Sequence, residues 1–410
     1  MKLLFSILAF LATILILPAF GDATVNEDDF VVEKYVTGIC CSPTTIGFVG
    51  KDILVLEKAT GHIQLIRNGI LQQGVLQQTP VLEENVTSIG EQGMLSIATD
   101  GNKVYLYFTE SSKNNGPPLG KRIYSYDWNG EKLVNKTLVK DLPQTQIYHN
   151  GGGMTFDKNG YLYIIVGDAG HYGKLQNHVT GEPDDTGVIL QLVPPGPYYA
   201  IGIRNSFGLT MDPVTGKIWD TENGPDFGDE INMVPPKFNS GWDVIMGPAN
   251  NTQIQNLPKF EDYVYHDPQF TWWKPVAPTG LAFADSDNYG KYKNDLFVGD
   301  CNNGNLYRFT LNQNRDGFVF QSPQLQDKVV NQGDSMNEIT FGTGFGCITD
   351  VKMGPDGWLY VVSLSDGTIY RIASKEFALA HYMPYVIIPG LIAVGISFIV
   401  YFRFKKKLVH

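Results

Sequence analysis

The chain has 410 residues, with 31 Lys and Arg against 42 Asp and Glu, so its formal net charge is −11. Charged residues make up only 18% and form no basic stripe, which argues against a nucleic-acid partner. With this length the chain exceeds the roughly 250 to 300 residues at which a single core stops growing, which leaves one large closed architecture or two domains.

In chain order, the first element is an apolar run from Leu3 to Leu17 behind Lys2, followed by Pro18 and the small-residue site Ala19-Phe20-Gly21. That layout is a secretory signal peptide over residues 1–21, with cleavage after Gly21. No Pro/Gly/Ser-rich linker divides the middle of the chain; an internal repeat fills it instead. Each copy has a small residue, a short β-rich run, a turn containing Asp, Asn or Gly, and then an aromatic and β-branched strand. Copies begin at Thr44, Gly93, Gly152, Phe207, Thr279 and Thr349. Their spacing suits a four-stranded sheet per copy, so the expected fold is all-β, a six-bladed β-propeller over residues 37–374. The aspartates of the turns DKNG and GPDG are assigned to hairpin chemistry rather than to catalysis. Sequons at Asn85, Asn135 and Asn250 are candidate glycan sites on an exported chain.

The last element, residues 384–402, is uncharged and long enough to span a bilayer as one transmembrane helix. A basic tail, residues 403–410 with Arg403, Lys405, Lys406 and Lys407, follows at once. The expectation is a single-pass cell-membrane protein with a cytoplasmic tail and an extracytoplasmic propeller. A buried core helix has no reason to end in such a cluster.

Superposing the repeats on Phe48, Phe156, Met211, Phe283 and Met353 puts His149 level with Cys41, Arg204, Val276 and Gly346. These positions lead into the innermost strands and should ring one mouth of the central channel. His149 and Arg204 are therefore expected as neighbours there, with Glu91 and Gln92 in the same zone. A mouth lined by His, Arg, Glu and Asn is a candidate active site.

The segments HNGGGMTFDKNGYLYIIVGD, IRNSFGLTMDP, ENGPDFGDEIN, SGWD, VAPTGLAF, LFVGDCNNGNLYRF and ITDVKMGPDGWLYVV resemble, in order, those of the soluble PQQ-dependent glucose/sorbosone dehydrogenase family. The resemblance covers about Thr37 to Ser374 and implies a quinoprotein six-bladed propeller. It makes His149 the general base, Asp168 the carboxylate that orients it, and Arg204 the cation facing charge that develops on the quinone. Asn205 would hydrogen-bond the cofactor, and Glu91 belongs to the same cofactor-binding zone. The carbonyls of Gly224 and Pro225 would ligate a Ca²⁺ that contacts the quinone. Asp229 and Glu230 would bind a second, structural Ca²⁺ or sit in an acidic loop. Trp272 and Trp273 would form an aromatic wall for a sugar or pack as ordinary core.

The chain also departs from the family pattern. Family members hold the three PQQ carboxylates with a Lys and two Arg, and Asn302, Cys347 and Thr349 occupy those cofactor-binding positions here. Loss of bidentate, charge-assisted contacts weakens PQQ binding unless another cation, such as Lys274, compensates. Tyr148 stands where the family has an acidic residue before the base. Cys40, Cys41, Cys301 and Cys347 should converge on one side of the mouth as disulfides. Pairing across blades 1, 5 and 6 would close the ring; a vicinal Cys40–Cys41 bridge or a soft-metal site, Cu(I) or Zn²⁺, are the alternatives.

The function expected from this reading is an extracellular quinoprotein oxidoreductase. It would oxidise a sugar or other alcohol with PQQ and Ca²⁺ and pass electrons to an unidentified acceptor. The alternative is a binding propeller that has lost its cofactor. A calcium-dependent lactonase would need more carboxylate and Asn ligands at the axis than the chain offers.

Overall fold

A computed structural model describes residues 23–380 except 70–73, 78, 143–145 and 261. The signal-peptide segment 1–21, the apolar segment 384–402 and the basic tail 403–410 lie outside the described residues. Among the described residues no helix is long and apolar enough to cross a membrane.

The described strands form six sheets, and the architecture is an all-β propeller. Blade 1 runs from its inner strand Pro43–Val49 through Asp52–Glu57 and His62–Ile66 to Leu82–Glu83. Blade 2 contains Met94–Asp100, Lys103–Ser111, Pro118–Trp128 and Leu133–Leu142. Blade 3 contains Met154–Phe156, Leu162–Val166, Val188–Val193 and Tyr198–Ile201, and carries Phe238–Asn239 and Val264–Tyr265 as added outer strands. Blade 4 contains Gly208–Met211, Ile218–Glu222, Asp229–Val234, Phe270–Trp272 and Val329–Val330. Blade 5 contains Pro278–Phe283, Leu296–Asp300, Leu306–Phe309 and Thr340–Thr343; blade 6 contains Ile348–Met353, Leu359–Ser363 and Thr368–Ser374.

Why these runs form blades follows from what covers them. The second strand of blade 1, DILVLE, is buried at every position, and so is LYVVS of blade 6. A strand flanked on both faces by neighbouring sheets reads as a continuous run and loses the alternation of a half-solvated strand. The outer strand Leu133–Leu142 has solvent on one side and exposes most of its centre. Buried apolar clusters fill each seam in turn: blades 1 and 2, 2 and 3, 3 and 4, 4 and 5, 5 and 6, and 6 and 1. The last of these packs Tyr360 and Val362 against Ile46 and Ile53, so the ring is closed.

The chain's first strands make that closure. Phe30–Val36 pairs antiparallel with Thr368–Ser374 as the outer strand of blade 6, and Thr24–Val25 pairs with Thr340–Thr343 on blade 5. The turn aspartates behave as their sequence context predicts: Asp157 Oδ1 accepts the N–H groups of Asn159 and Tyr161, each at 2.8 Å.

Candidate active site

Each inner strand is entered from a loop at one mouth of the channel, and these loops carry the polar side chains. A cavity of about 840 Å³ opens there, lined by Lys58, Glu91, His149, Arg204, Asn205 and Thr349 among others. His149 and Arg204 share this wall, and their backbones are coupled: Ala169 N–H donates to the His149 carbonyl at 3.2 Å, and Asp168 N–H to the Arg204 carbonyl at 2.8 Å.

His149 adopts φ 58°, a left-handed conformation that turns the chain sharply into the blade. Its Nδ1 lies 2.7 Å from Asp168 Oδ1. Asp168 is 1% exposed and acts as an acceptor three times, for the imidazole, for Gly170 N–H at 2.8 Å and for Trp242 Nε1–H at 2.6 Å. A carboxylate held by two fixed donors orients the imidazole, and in the neutral ring it favours the tautomer with the proton on Nδ1, leaving Nε2 as the acceptor.

Arg204 is fixed at both ends. Its N–H donates to Glu222 at 2.6 Å, and its Nη1 donates to the carbonyls of Asn223 at 2.8 Å and Gly224 at 2.9 Å. The guanidinium lies 5.1 Å from the Trp242 ring, the indole that also holds Asp168. Burial pushes Glu222 up to about 7, against the opposing pull of Ser240 Oγ–H and the Arg204 N–H. Glu91 ties the neighbouring loops together, accepting from Asn150 N–H at 3.0 Å and from Asn205 Nδ2 at 3.1 Å. Asn205 in turn accepts from Gly151 N–H at 3.2 Å.

Other sequence-derived candidates take different positions. Gly224, Pro225, Asp229, Glu230 and Asn302 do not line the cavity. The Asp229 carboxylate is taken up by three backbone N–H groups, those of Gly224 at 2.8 Å and of Val276 and Ala277 at 2.7 Å each, so it clamps the loop. Glu230 is buried against Asn232 and the Gly247 N–H, and burial raises its carboxyl well above the usual range. Asn302 Nδ2 donates to the Pro275 carbonyl at 3.3 Å, and Lys274 is exposed away from the cavity. Thr349 does line the cavity, but its hydroxyl is directed to the Pro43 carbonyl at 3.2 Å. Of the two tryptophans, Trp272 packs in the core while Trp273 is 47% exposed and meets Phe227 at a tilt, ring centroids 5.1 Å apart.

The disulfides correct the expected three-blade closure. Cys301 pairs with Cys347, joining blades 5 and 6, whereas Cys40 pairs with its neighbour Cys41 and links blade 1 to nothing else. Among the described residues no cysteine is free. The reason is local: Cys41 and Ser42 both take positive φ, 66° and 64°, and the turn they make brings the adjacent side chains together. Cys301 and Cys347 line the cavity side by side.

Two site residues had no role in the sequence reading, Trp242 and Lys58. Trp242 belongs to SGWD, which marks the family but does not by itself say which carboxylate the indole meets. Lys58 Nζ donates to the Gly90 carbonyl at 2.8 Å, and burial lowers its ammonium below the usual lysine value.

The residues present fit an acidic quinone. Arg204 Nε is buried with no hydrogen-bond partner among the described residues, a donor that a ligand in the cavity can satisfy. Lys58 adds a second cation to the cavity lining. The Asn223 and Gly224 carbonyls are oxygen donors of the kind Ca²⁺ takes, and here each accepts from Arg204 Nη1.

Fold and site together define an axial-channel propeller with a carboxylate-held imidazole beside a fixed guanidinium. The chain belongs to the glucose/sorbosone dehydrogenase family, whose profile it matches over residues 41–371. It is 28% identical over 317 residues to the aldose sugar dehydrogenase YliI of Escherichia coli strain K12, covering 71% of this chain and 80% of that one. The crystal structure of a putative oxidoreductase (glucose dehydrogenase) from Thermus thermophilus superposes with a TM-score of 0.64 at 26% identity, covering 84% of this chain and 99% of that one. The PQQ-bound aldose sugar dehydrogenase of Streptomyces coelicolor superposes at 0.62 with 22% identity, covering 87% and 99%, a likeness of fold alone.

Proposed function

We propose that this protein is an extracytoplasmic oxidoreductase of the quinoprotein type, anchored in the cell membrane by its C-terminal apolar segment, that oxidises a hydroxyl group of a sugar or other alcohol. The observation that supports this reading most is the Trp242–Asp168–His149 chain opening into the cavity beside Arg204. The relatives' names add support: YliI is an aldose sugar dehydrogenase.

In this mechanism the substrate hydroxyl meets His149, whose Nε2 takes its proton while Asp168 stabilises the imidazolium that forms. Trp242 keeps Asp168 aimed at the ring, so the imidazole does not have to find its orientation during the reaction. Arg204 presents its guanidinium to the place where negative charge develops, which favours the transition state over the ground state. Arg204, Asn205 and Lys58 would hold PQQ, with the carbonyls of Gly224 and Pro225 as Ca²⁺ ligands. When bound, the quinone supplies the two-electron acceptor for the carbon-bound hydrogen of the alcohol.

One observation favours a second reading, a binding propeller without the cofactor. Cys347, at a position where the family has an Arg, is locked to Cys301 and cannot donate to a carboxylate. The test is dye reduction by the purified ectodomain with an aldose, PQQ and Ca²⁺, alongside a calorimetric titration with PQQ at fixed Ca²⁺. Turnover with saturable PQQ binding carries the enzyme reading. Neither turnover nor PQQ heat leaves the binding propeller.

A further inference from the structure

The seam between blades 2 and 3 holds a cation that no hydrogen-bond partner among the described residues meets. Lys121, in the strand Pro118–Trp128, is 1% exposed, and its Nζ has no hydrogen-bond partner among the described residues. Directly opposite in the strand register is Thr109, whose hydroxyl is likewise buried and unpartnered. Two residues along, Ile123 stands opposite Tyr107, and the Tyr107 hydroxyl donates to the Asn150 carbonyl at 2.9 Å. Asn150 is wholly buried, and its Oδ1 is a third polar atom without a partner.

Side chains two apart on a strand share a face, so Lys121 and Ile123, with Thr109 and Tyr107 opposite them, all face the same way. That face is the one turned to blade 3, because Ile123 and Tyr107 pack there with Ile164 and Val166. At the mouth this seam ends in Asn150, the residue after His149. The charges that act on Lys121 are the carboxylates of Glu91 and Asp168; burial outweighs them and pushes the ammonium down to about 7. Burial also raises the Tyr107 phenol far above its usual value, so it stays neutral, and Lys58 is the other basic group that feels Glu91.

Glu91 and Asp168 both hold the mouth together, one through Asn150 and Asn205, the other through His149, as Glu222 does through the Arg204 N–H. We propose that Lys121 is a positioning residue of the His149 base: a buried ammonium behind these carboxylates that offsets their charge and so limits how readily His149 is protonated. Arg204 and Lys58 are the other cations at this mouth; taking the Lys121 ammonium away from behind the carboxylates shifts the balance toward the imidazolium, which cannot act as a base. The three unpartnered polar atoms around the seam suit buried water, which would carry the coupling without a direct salt bridge. This inference rests on the reading of His149 as the base.

The test is Lys121→Met, which keeps the length and removes the charge. The acid limb of kcat/KM against pH should move to higher pH by about one unit, while Lys121→Arg should leave it at the wild-type position. A second readout does not need turnover. The imidazole resonance absent from His149→Gln spectra identifies His149, and its titration midpoint should rise in Lys121→Met by the same amount. A shifted resonance without any dehydrogenase activity would sink the proposed function while showing that Lys121 and His149 are coupled through their charges. A limb and a resonance that both superimpose on wild type would overturn it and reduce Lys121 to a spacer, whatever the activity.

Discussion

His149, Asp168 and Trp242 act as one unit, because each fixes the next through a hydrogen bond of 2.6 to 2.7 Å. His149→Ala removes the base and should lower kcat by about 10² to 10⁴. Asp168→Asn should also lower kcat, because an amide at this position can donate to Nδ1 and so favours the wrong tautomer. Steady-state rates with a fixed aldose check both; wild-type rates in either variant would show that the mouth is not the reaction centre. Lys121 makes a prediction about stability as well. Between about 7 and the ordinary 10.5 the unfolded chain binds a proton that the folded chain has released. Stability should therefore rise with pH across that window, by at most about 1.4 kcal/mol per pH unit. Denaturant melts at pH 7 and pH 9 test this: the rise should be smaller in Lys121→Met, and an unchanged rise would assign it to other groups.

The loops of blades 3 and 4 meet at Gly167, where an added Cβ would lie 2.4 Å from the His149 carbonyl oxygen and 3.1 Å from that of Arg204. Gly167→Ala should therefore separate His149 from Arg204 and lower kcat while the fold persists, which circular dichroism and turnover together can show. The Cys301–Cys347 bridge is a different kind of tie. Together with the Cys40–Cys41 bridge it should show as four thiols released on reduction of the denatured ectodomain, two from each bridge, and none before. The Cys301→Ser, Cys347→Ser double variant should lose about 2 to 4 kcal/mol. The repeat made much at this scale legible: copies starting at Thr44, Gly93 and Thr349 correspond to the inner strands Pro43–Val49, Met94–Asp100 and Ile348–Met353. The shared register of those strands is also why His149 and Arg204 could be placed together from sequence. What crosses a seam was not legible. Trp242 reaches Asp168 from a loop 74 positions away, and Lys121 faces blade 3 from a strand with no marker of function. Four cysteines allow three pairings, and spacing does not choose among them. Nor does an acidic loop reveal whether a carboxylate such as Asp229 faces a cation or backbone N–H groups.

At the scale of the whole molecule, the ring is closed by pairing the chain's beginning with its end, and one buried ion pair bridges that junction. Arg371 Nε donates to Glu33 at 2.7 Å, with both side chains 1 to 2% exposed. Arg371→Met strands the buried Glu33 charge and should destabilise the propeller by about 3 to 5 kcal/mol, whereas Glu33→Gln should cost less, because Asp356 lies 3.6 Å from Arg371 Nη1. The double replacement Arg371→Met, Glu33→Gln should recover part of that loss, which denaturant titration of the three variants can show. The same junction governs the order of events during synthesis. Glu33 leaves the ribosome early and waits for a partner 338 positions later. Until Thr368–Ser374 emerges, the strand Phe30–Val36 has no sheet to join, and blades 1 and 6 each have one face without a neighbour. At about 5 to 20 residues per second that interval lasts from some tens of seconds to about a minute. A truncated or stalled chain would leave this apolar strand and an open edge uncovered, which makes late termination a direct route to aggregation.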